Sequence, residues 1–132
     1  MSIFVCKNIR PFHVIHYITM ATKEGKIQNA VCERLASNGI FFFRVNNQPT
    51  YDPKLNNGYG GYRSQGKWAK PGTPDIVAIG PAGRFIGLEI KTDKGKQSAD
   101  QMLFERGSKR AGADYHVIRS VDEVDNLGLY KG

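Results

Sequence analysis

A chain of 132 residues, 40% hydrophobic and 23% charged, has the size of one domain around a single core. Nineteen Lys and Arg against twelve Asp and Glu leave a formal charge of +7, which suits a polyanionic partner, nucleic acid being the commonest, and dictates no fold. Cys6 and Cys32 fit neither a disulfide framework nor a zinc site and are expected as free thiols in a reducing cytoplasm, and no apolar run reaches the roughly 18 residues of a membrane span.

Residues 1–19 carry the apolar stretches Ile3 to Cys6 and Phe12 to Ile18, broken by Lys7, Arg10 and Pro11, a pattern too interrupted for a secretory signal. Met20, followed by Ala21-Thr22-Lys23-Glu24, resembles an ordinary protein start. Residues 1–19 are therefore read as an extension ahead of a domain over 20–132, with Met20 as candidate initiator; the intact mass of the natively expressed protein decides this. From Thr22 to Ser37, Ile27, Val31 and Leu35, with Ala30 and Cys32 beside them, follow helical spacing, and Asn38-Gly39 supplies the stop. Glu24, three before Ile27, falls on the inward stripe in the first turn, where an acid complements the helix dipole; Glu33 falls outside. Gly25 weakens that first turn.

Ile40 to Val45 reads as a buried strand, its continuous apolar run placing it centrally, with Arg44 at its end. Asn46 to Lys70 is a long polar segment, and segments of that length are commonly functional or disordered. Its Arg63, Lys67, Trp68 and Lys70, interleaved with Tyr59 and Tyr62, have the chemistry to contact phosphates and stack on bases, or simply to solvate a surface loop.

Ile76 to Ile79 and Phe85 to Lys91 are β-rich runs around the turn Gly80-Pro81-Ala82-Gly83. A three-residue loop, a type I turn closed by Gly83 in the left-handed region, sets Gly80 opposite Arg84 and hence Asp75 opposite Glu89. Asp75, Glu89 and Lys91 then share one face, while Ile76, Ala78, Leu88 and Ile90 enter a core. A two-residue loop would separate the carboxylates. Facing like charges destabilise a sheet by roughly 0.2–1 kcal/mol, so this pair calls for a cation, and hard oxygen ligands point to Mg²⁺ or Mn²⁺. Such an ion beside a Lys has the parts to activate water and stabilise a phosphate under attack.

Thr92 to Gln97 is a loop carrying Lys94 and Lys96. Ser98 and Gln101 form a capping box opening a helix to about Arg110, with Ala99, Met102 and Leu103 inward and a basic side of Arg106, Lys109 and Arg110. Gly112 ends it, Tyr115 to Arg119 is a strand, and Ser120 with Glu123 forms a second capping box on a short final helix. His116 reads as a strand residue and not as a ligand.

The ordered set Gly72-Thr73-Pro74-Asp75, Glu89-Ile90-Lys91 and Gln101 resembles the PD-(D/E)xK nucleases, and within them the VRR-NUC (virus-type replication-repair nuclease) domain, from about Glu24 to Val124. The resemblance implies a restriction-endonuclease-like αβββαβ core with a mixed central sheet flanked by helices, in agreement with the element order above. It adds Glu24, ahead of Ile27-Gln28, as a further active-site acid, and makes Gln101 a member of the catalytic motif as well as a cap. The implied metal set is Asp75, Glu89 and the Ile90 carbonyl, helped directly or through water by Glu24. The implied activity is metal-dependent hydrolysis of DNA phosphodiesters, on flaps or four-way junctions, in the replication, recombination or repair of a phage or mobile element. A homodimer is expected, with Phe41 to Phe43, the 46–70 segment or the amino-terminal arm at its interface. Two other readings stay open: a basic nucleic-acid-binding module with inert carboxylates, and a restriction-like nuclease of the same superfamily.

Overall fold

The computed structural model describes residues 22–45, 50–63 and 66–129; the amino-terminal extension and the Met20 start lie outside the described residues. In chain order these form α1 (Lys23–Ser37), β1 (Phe41–Arg44), β2 (Tyr51–Asp52), β3 (Gly61–Tyr62), β4 (Ile76–Ile79), β5 (Phe85–Ile90), α2 (Ala99–Arg110), β6 (Asp114–Ile118) and α3 (Val121–Asp125). The main sheet runs β1-β4-β5-β6, antiparallel except for the parallel β5–β6 pair that the α2 crossover creates. The result is the mixed α/β architecture expected from the element order.

Alternation along β4 and β5 divides the molecule into two faces. Ile76, Ala78, Ile86, Leu88 and Ile90, joined by Ile118 of β6, bury against Val31 and Leu35 of α1, Val124 of α3 and Leu129. Replacing one such Leu by Ala typically costs about 2–5 kcal/mol. Val77, Gly87, Glu89 and Tyr115 point to the other side, where α2 packs on β6. The α1 helix begins as its sequence asks: the Thr22 hydroxyl accepts from Gly25 N at 3.0 Å, offsetting the weak Gly25 turn.

Several expectations need correction. β1 is an edge strand and not a central one; only Phe42 packs toward the core, while Phe41 is 72% and Phe43 49% exposed. A run of three Phe reads alike for a buried strand and for an apolar edge. The 46–70 segment contains the small β2–β3 hairpin, closed by a turn at Asn56–Gly58, with Tyr51 and Tyr62 edge to face at 5.5 Å. Isolated two-residue strands leave no readable periodicity.

The β4–β5 turn has the expected length but not the expected type. Ala82 takes φ 60° and Gly83 φ 76°, so the second turn residue is left-handed, where a type I turn would hold it near −90°. Loop length alone fixes the register, which is why Ile76 still faces Leu88 and Gly80 N still donates to the Arg84 carbonyl.

On α2, Ala99, Met102 and Leu103 are exposed, and the inward stripe is Gln101, Phe104, Glu105 and Ser108, an i, i+3, i+4, i+7 set. Polar members of that stripe are tolerated because they are bonded: Glu105 accepts from Gln97 and Lys109, and Phe104 lies 6.2 Å from the Tyr115 ring. The second capping box does not form. Ser120 makes no side-chain cap bond, and the Glu123 carboxylate reaches past it to Arg119 N at 3.0 Å.

Candidate active site

The site is built where Pro74 lies on the sheet. A β-carbon on Gly87 would stand 3.0 Å from Pro74 Cγ and 3.2 Å from Tyr115 Cδ2, so the glycine lets Pro74, itself fully buried, sit down on β5. Asp75 follows at the mouth of β4. Its carbonyl accepts from Val45 N at 2.9 Å, and its Oδ2 accepts from Ile90 N at 2.8 Å. One step beyond the Ile76–Leu88 pair, Asp75 is thereby held beside Glu89, as the register predicts.

Glu89 is the one buried charged residue among the described residues, 1% exposed, and it is fully partnered. Oε1 accepts from Gln101 Nε2 at 2.5 Å and faces Lys91 Nζ at 3.3 Å, while Oε2 accepts from the Tyr115 hydroxyl at 3.3 Å. Burial is the largest influence on the Glu89 carboxyl and the Asp75 charge adds to it, so that despite the Lys91 ammonium its pKa is pushed up to about 7. The Tyr115 hydroxyl is pushed up by burial first and then by the Glu89 charge, which keeps it a proton donor across the working range.

Gln101 serves two structures at once. Its Oε1 accepts from Ser98 N at 2.8 Å and its backbone N donates to the Ser98 hydroxyl at 3.2 Å, completing the capping box, while its Nε2 is spent on Glu89. The loop before it is pinned by Arg119, whose Nη1 donates to the carbonyls of Thr92 and Gly95, at 2.5 and 2.8 Å. Gly72, at φ 76°, presses on the first turn of α2; a β-carbon there would lie 2.3 Å from the Asp100 carbonyl carbon and oxygen.

Asp75, Glu89, Lys91 and Gln101 are thus brought together. Glu24 is half-buried in the first turn of α1, whose buried residues pack on the opposite face of the sheet, and no hydrogen bond or ion pair ties it to the other four. Among the described residues no group of three or more His, Cys, Asp and Glu is close enough to hold an ion. Two carboxylates with the nearby Ile90 carbonyl do fit Mg²⁺ or Mn²⁺, since Mg²⁺ retains several waters and takes one or two carboxylates where zinc or calcium demands a fuller cage. Burial first, and the Asp75 charge after it, hold the Glu89 pKa up, and a divalent cation would offset the second of these.

The basic residues are dispersed. Arg44 is exposed on the β1 edge, and Lys94 and Lys96 are exposed on the loop pinned by Arg119. Lys67 stands over the Trp68 ring, 5.1 Å from its centroid, and that ring is 85% exposed. Arg63 is paired with Asp52, and Lys109 with Glu105 at 2.6 Å, so each already has a carboxylate partner. Lys70, Arg106 and Arg110 are exposed without an ion-pair partner among the described residues. His116 is half-buried in β6, as a strand residue. Tyr115 and Arg119 were not foreseeable as site residues: their roles depend on the parallel register of β5 and β6, which no local pattern encodes. No helix among the described residues is long and apolar enough to cross a membrane.

No family model and no curated protein matches the chain. A solved structure titled VRR_NUC domain does: the two superpose with a TM-score of 0.59 at 24% identity, over 85% of this chain and the whole of that one. The fold is that of a VRR_NUC domain, a restriction-endonuclease-like mixed sheet flanked by helices.

Proposed function

We propose that the chain is a nuclease of the VRR-NUC type that hydrolyses DNA phosphodiester bonds with the help of Mg²⁺ or Mn²⁺. The observation that carries this reading is the Glu89 carboxylate, buried between Lys91, Gln101 and Tyr115 with Asp75 alongside. A solvated acidic face would leave Glu89 in water; here it is desolvated, oriented and crowded by a second acid, the environment in which functional groups are tuned. Asp75 and Glu89 on opposite faces would have supported the inert binding module, and the β4–β5 register does not favour that arrangement.

Asp75 and Glu89, with the Ile90 carbonyl, are the proposed ligand set, and Glu24 is kept as a further acid that helps directly or through water on the strength of the resemblance alone. Bound there, the ion would lower the pKa of a water molecule and offset charge on the attacked phosphate. Lys91 Nζ, 3.3 Å from Glu89 Oε1, orients or polarises the attacking water and steadies the charge that builds on the phosphate oxygens. Gln101 and Tyr115, donating to opposite oxygens of Glu89, fix its plane, the role of groups behind a metal ligand. Lys67, Trp68, Lys70, Lys94, Lys96, Arg106 and Arg110 supply phosphate contacts and a stacking surface.

The substrate is read as branched DNA, cut by a homodimer. A symmetric pair of sites matches a four-way junction, where two strands of like polarity are nicked, and the exposed Phe41 and Phe43 on the β1 edge offer an apolar contact surface. Product analysis on duplex, flap and four-way-junction DNA with Mg²⁺ or Mn²⁺ tests the reading; absence of cleavage on all three would leave the fold without this activity.

A further inference from the structure

A groove of about 510 Å³ lies between α2 and the segment that leads into Gly72, lined by Lys70 and Pro71 on one side and by Asp100, Leu103, Phe104, Gly107 and Ser108 on the other. None of Asp75, Glu89, Lys91 and Gln101 lines it, but two of its lining residues adjoin groups that hold Glu89. Asp100 adjoins Gln101, whose amide holds Glu89, and the floor residue Phe104 is backed by Tyr115, whose hydroxyl holds the other oxygen of Glu89. Contact of Gly72 with the Asp100 backbone fixes the two walls against each other.

Three features describe what the groove accepts. Its floor is apolar and aromatic, and Leu103 leaves 60% of its surface in water, a cost that an occupant would remove. Its lining carries Lys70 on one side and Asp100 on the other, and beyond the Asp100 wall helical spacing sets Arg110, seven residues after Leu103 and three after Gly107, in line with that wall, with Arg106 one turn before it. Gly107 is the third. It sits inside a helix with ordinary helical φ, and a β-carbon there would meet nothing within 4 Å, so neither backbone geometry nor crowding requires glycine at a position where it weakens the helix. Its effect is to keep the groove wall flat and open.

An apolar slot of nucleotide size with a cation at each end, Lys70 and Arg110, is a layout that stacks a base and neutralises the phosphates on either side. We propose that this groove binds one unpaired nucleotide of a DNA strand, its base on Leu103 and Phe104 and its flanking phosphates on Lys70 and Arg110. Asp100 keeps phosphate away from the floor. The inference rests on the nuclease reading above and deepens it, because it makes an unpaired strand part of the recognised substrate.

The test is DNA binding by the full chain with Ca²⁺ replacing Mg²⁺, comparing a blunt duplex with the same duplex carrying a short single-stranded tail, by fluorescence anisotropy. One stacked base is expected to tighten binding of the tailed duplex by about 10-fold. Gly107→Gln fills the open space with a better helix former, so its Tm should rise while the tail preference falls toward unity, a combination that misfolding cannot produce. Leu103→Asp should likewise abolish the preference. Equal affinity of the wild type for both duplexes, or a preference that survives Gly107→Gln, overturns the proposal, as does a change in particle mass by light scattering in Gly107→Gln with the preference intact, which would assign the groove to a protein partner. Cleavage of the same DNAs with Mg²⁺ separates the two claims. Cutting without tail preference removes the groove site and leaves the nuclease, whereas tail-dependent binding without cutting leaves the groove site and removes the nuclease.

Discussion

The side-chain amide of Gln101 donates to Glu89 Oε1 at 2.5 Å while its carbonyl oxygen accepts from Ser98 N at 2.8 Å. One residue therefore closes the first turn of α2 and orients the buried carboxylate. Gln101→Glu separates the two duties, because a carboxylate still accepts from Ser98 N but sets a third negative charge against Glu89. Helix stability should be nearly unchanged, activity at neutral pH should fall by about 10- to 100-fold, and the pH–rate profile should move to higher pH. A profile that keeps its position would reduce Gln101 to a cap.

The raised Glu89 pKa makes a stability prediction with a definite sign. The unfolded carboxyl titrates near 4.5 and the folded one near 7, so between those values the folded state holds the extra proton and folding stability falls as pH rises. In the presence of a chelator, Tm should decline from about pH 5 to about pH 8, Mg²⁺ should recover it at the alkaline end, and Glu89→Gln should flatten the slope. Thermal denaturation at a series of pH values measures all three.

Lys91→Ala is expected to lower turnover by about 10²–10⁴ with DNA affinity largely retained, the scale of a positioned proton-transfer group. Lys91→Arg keeps the charge but changes reach and donor geometry and should not restore the rate. Loss of binding with unaltered turnover would instead make Lys91 a phosphate anchor.

Gly72→Ala should couple stability to activity at a distance. The new methyl would meet the Asp100 backbone at 2.3 Å at a φ of 76°, so the chain or α2 must shift. Destabilisation of at least about 2 kcal/mol is expected from left-handed strain and crowding together. Displacement of the Asp100–Gln101 turn should also lower activity at temperatures where the variant remains folded, as denaturant melts and rates on the same sample will show.

How much of this was readable from residue order depends on whether the deciding interaction was local. The Asp75–Glu89 pairing was legible because loop length and strand alternation set it, even though the turn type was misassigned: an Ala at positive φ runs against its own propensity. The Ser98–Gln101 box was legible from spacing alone. The inward face of α2 was not, since Met102 and Leu103 are apolar yet exposed, while the packed stripe sets Phe104 beside Gln101 and Glu105, whose burial depends on partners from β5, the 92–97 loop and α2 itself. The edge position of β1 and the contribution of Tyr115 depend on strand order and on a parallel register, both set by the α2 crossover and not by any local run.

The homodimer can be tested at the β1 edge. Phe41→Glu with Phe43→Glu should leave the fold intact, since both side chains are largely in water, and should give a monomer by light scattering that no longer prefers junctions. Binding of the wild type should weaken steeply with salt as phosphate contacts release counterions. A wild type that is already monomeric and cuts linear duplex as readily as a junction would remove the dimer and leave the carboxylate site in place.

The central claim is that Asp75 and Glu89 form one metal-dependent hydrolytic site. The most direct measurement is the rate at which the wild type, Asp75→Ala and Glu89→Gln cleave four-way-junction DNA with Mg²⁺ and with excess chelator. The wild type should cleave only with the metal, and each variant should lose cleavage by about 10²-fold or more while still binding the junction in Ca²⁺. Full Mg²⁺-supported cleavage by Asp75→Ala would contradict the account, and so would wild-type cleavage that the chelator leaves untouched.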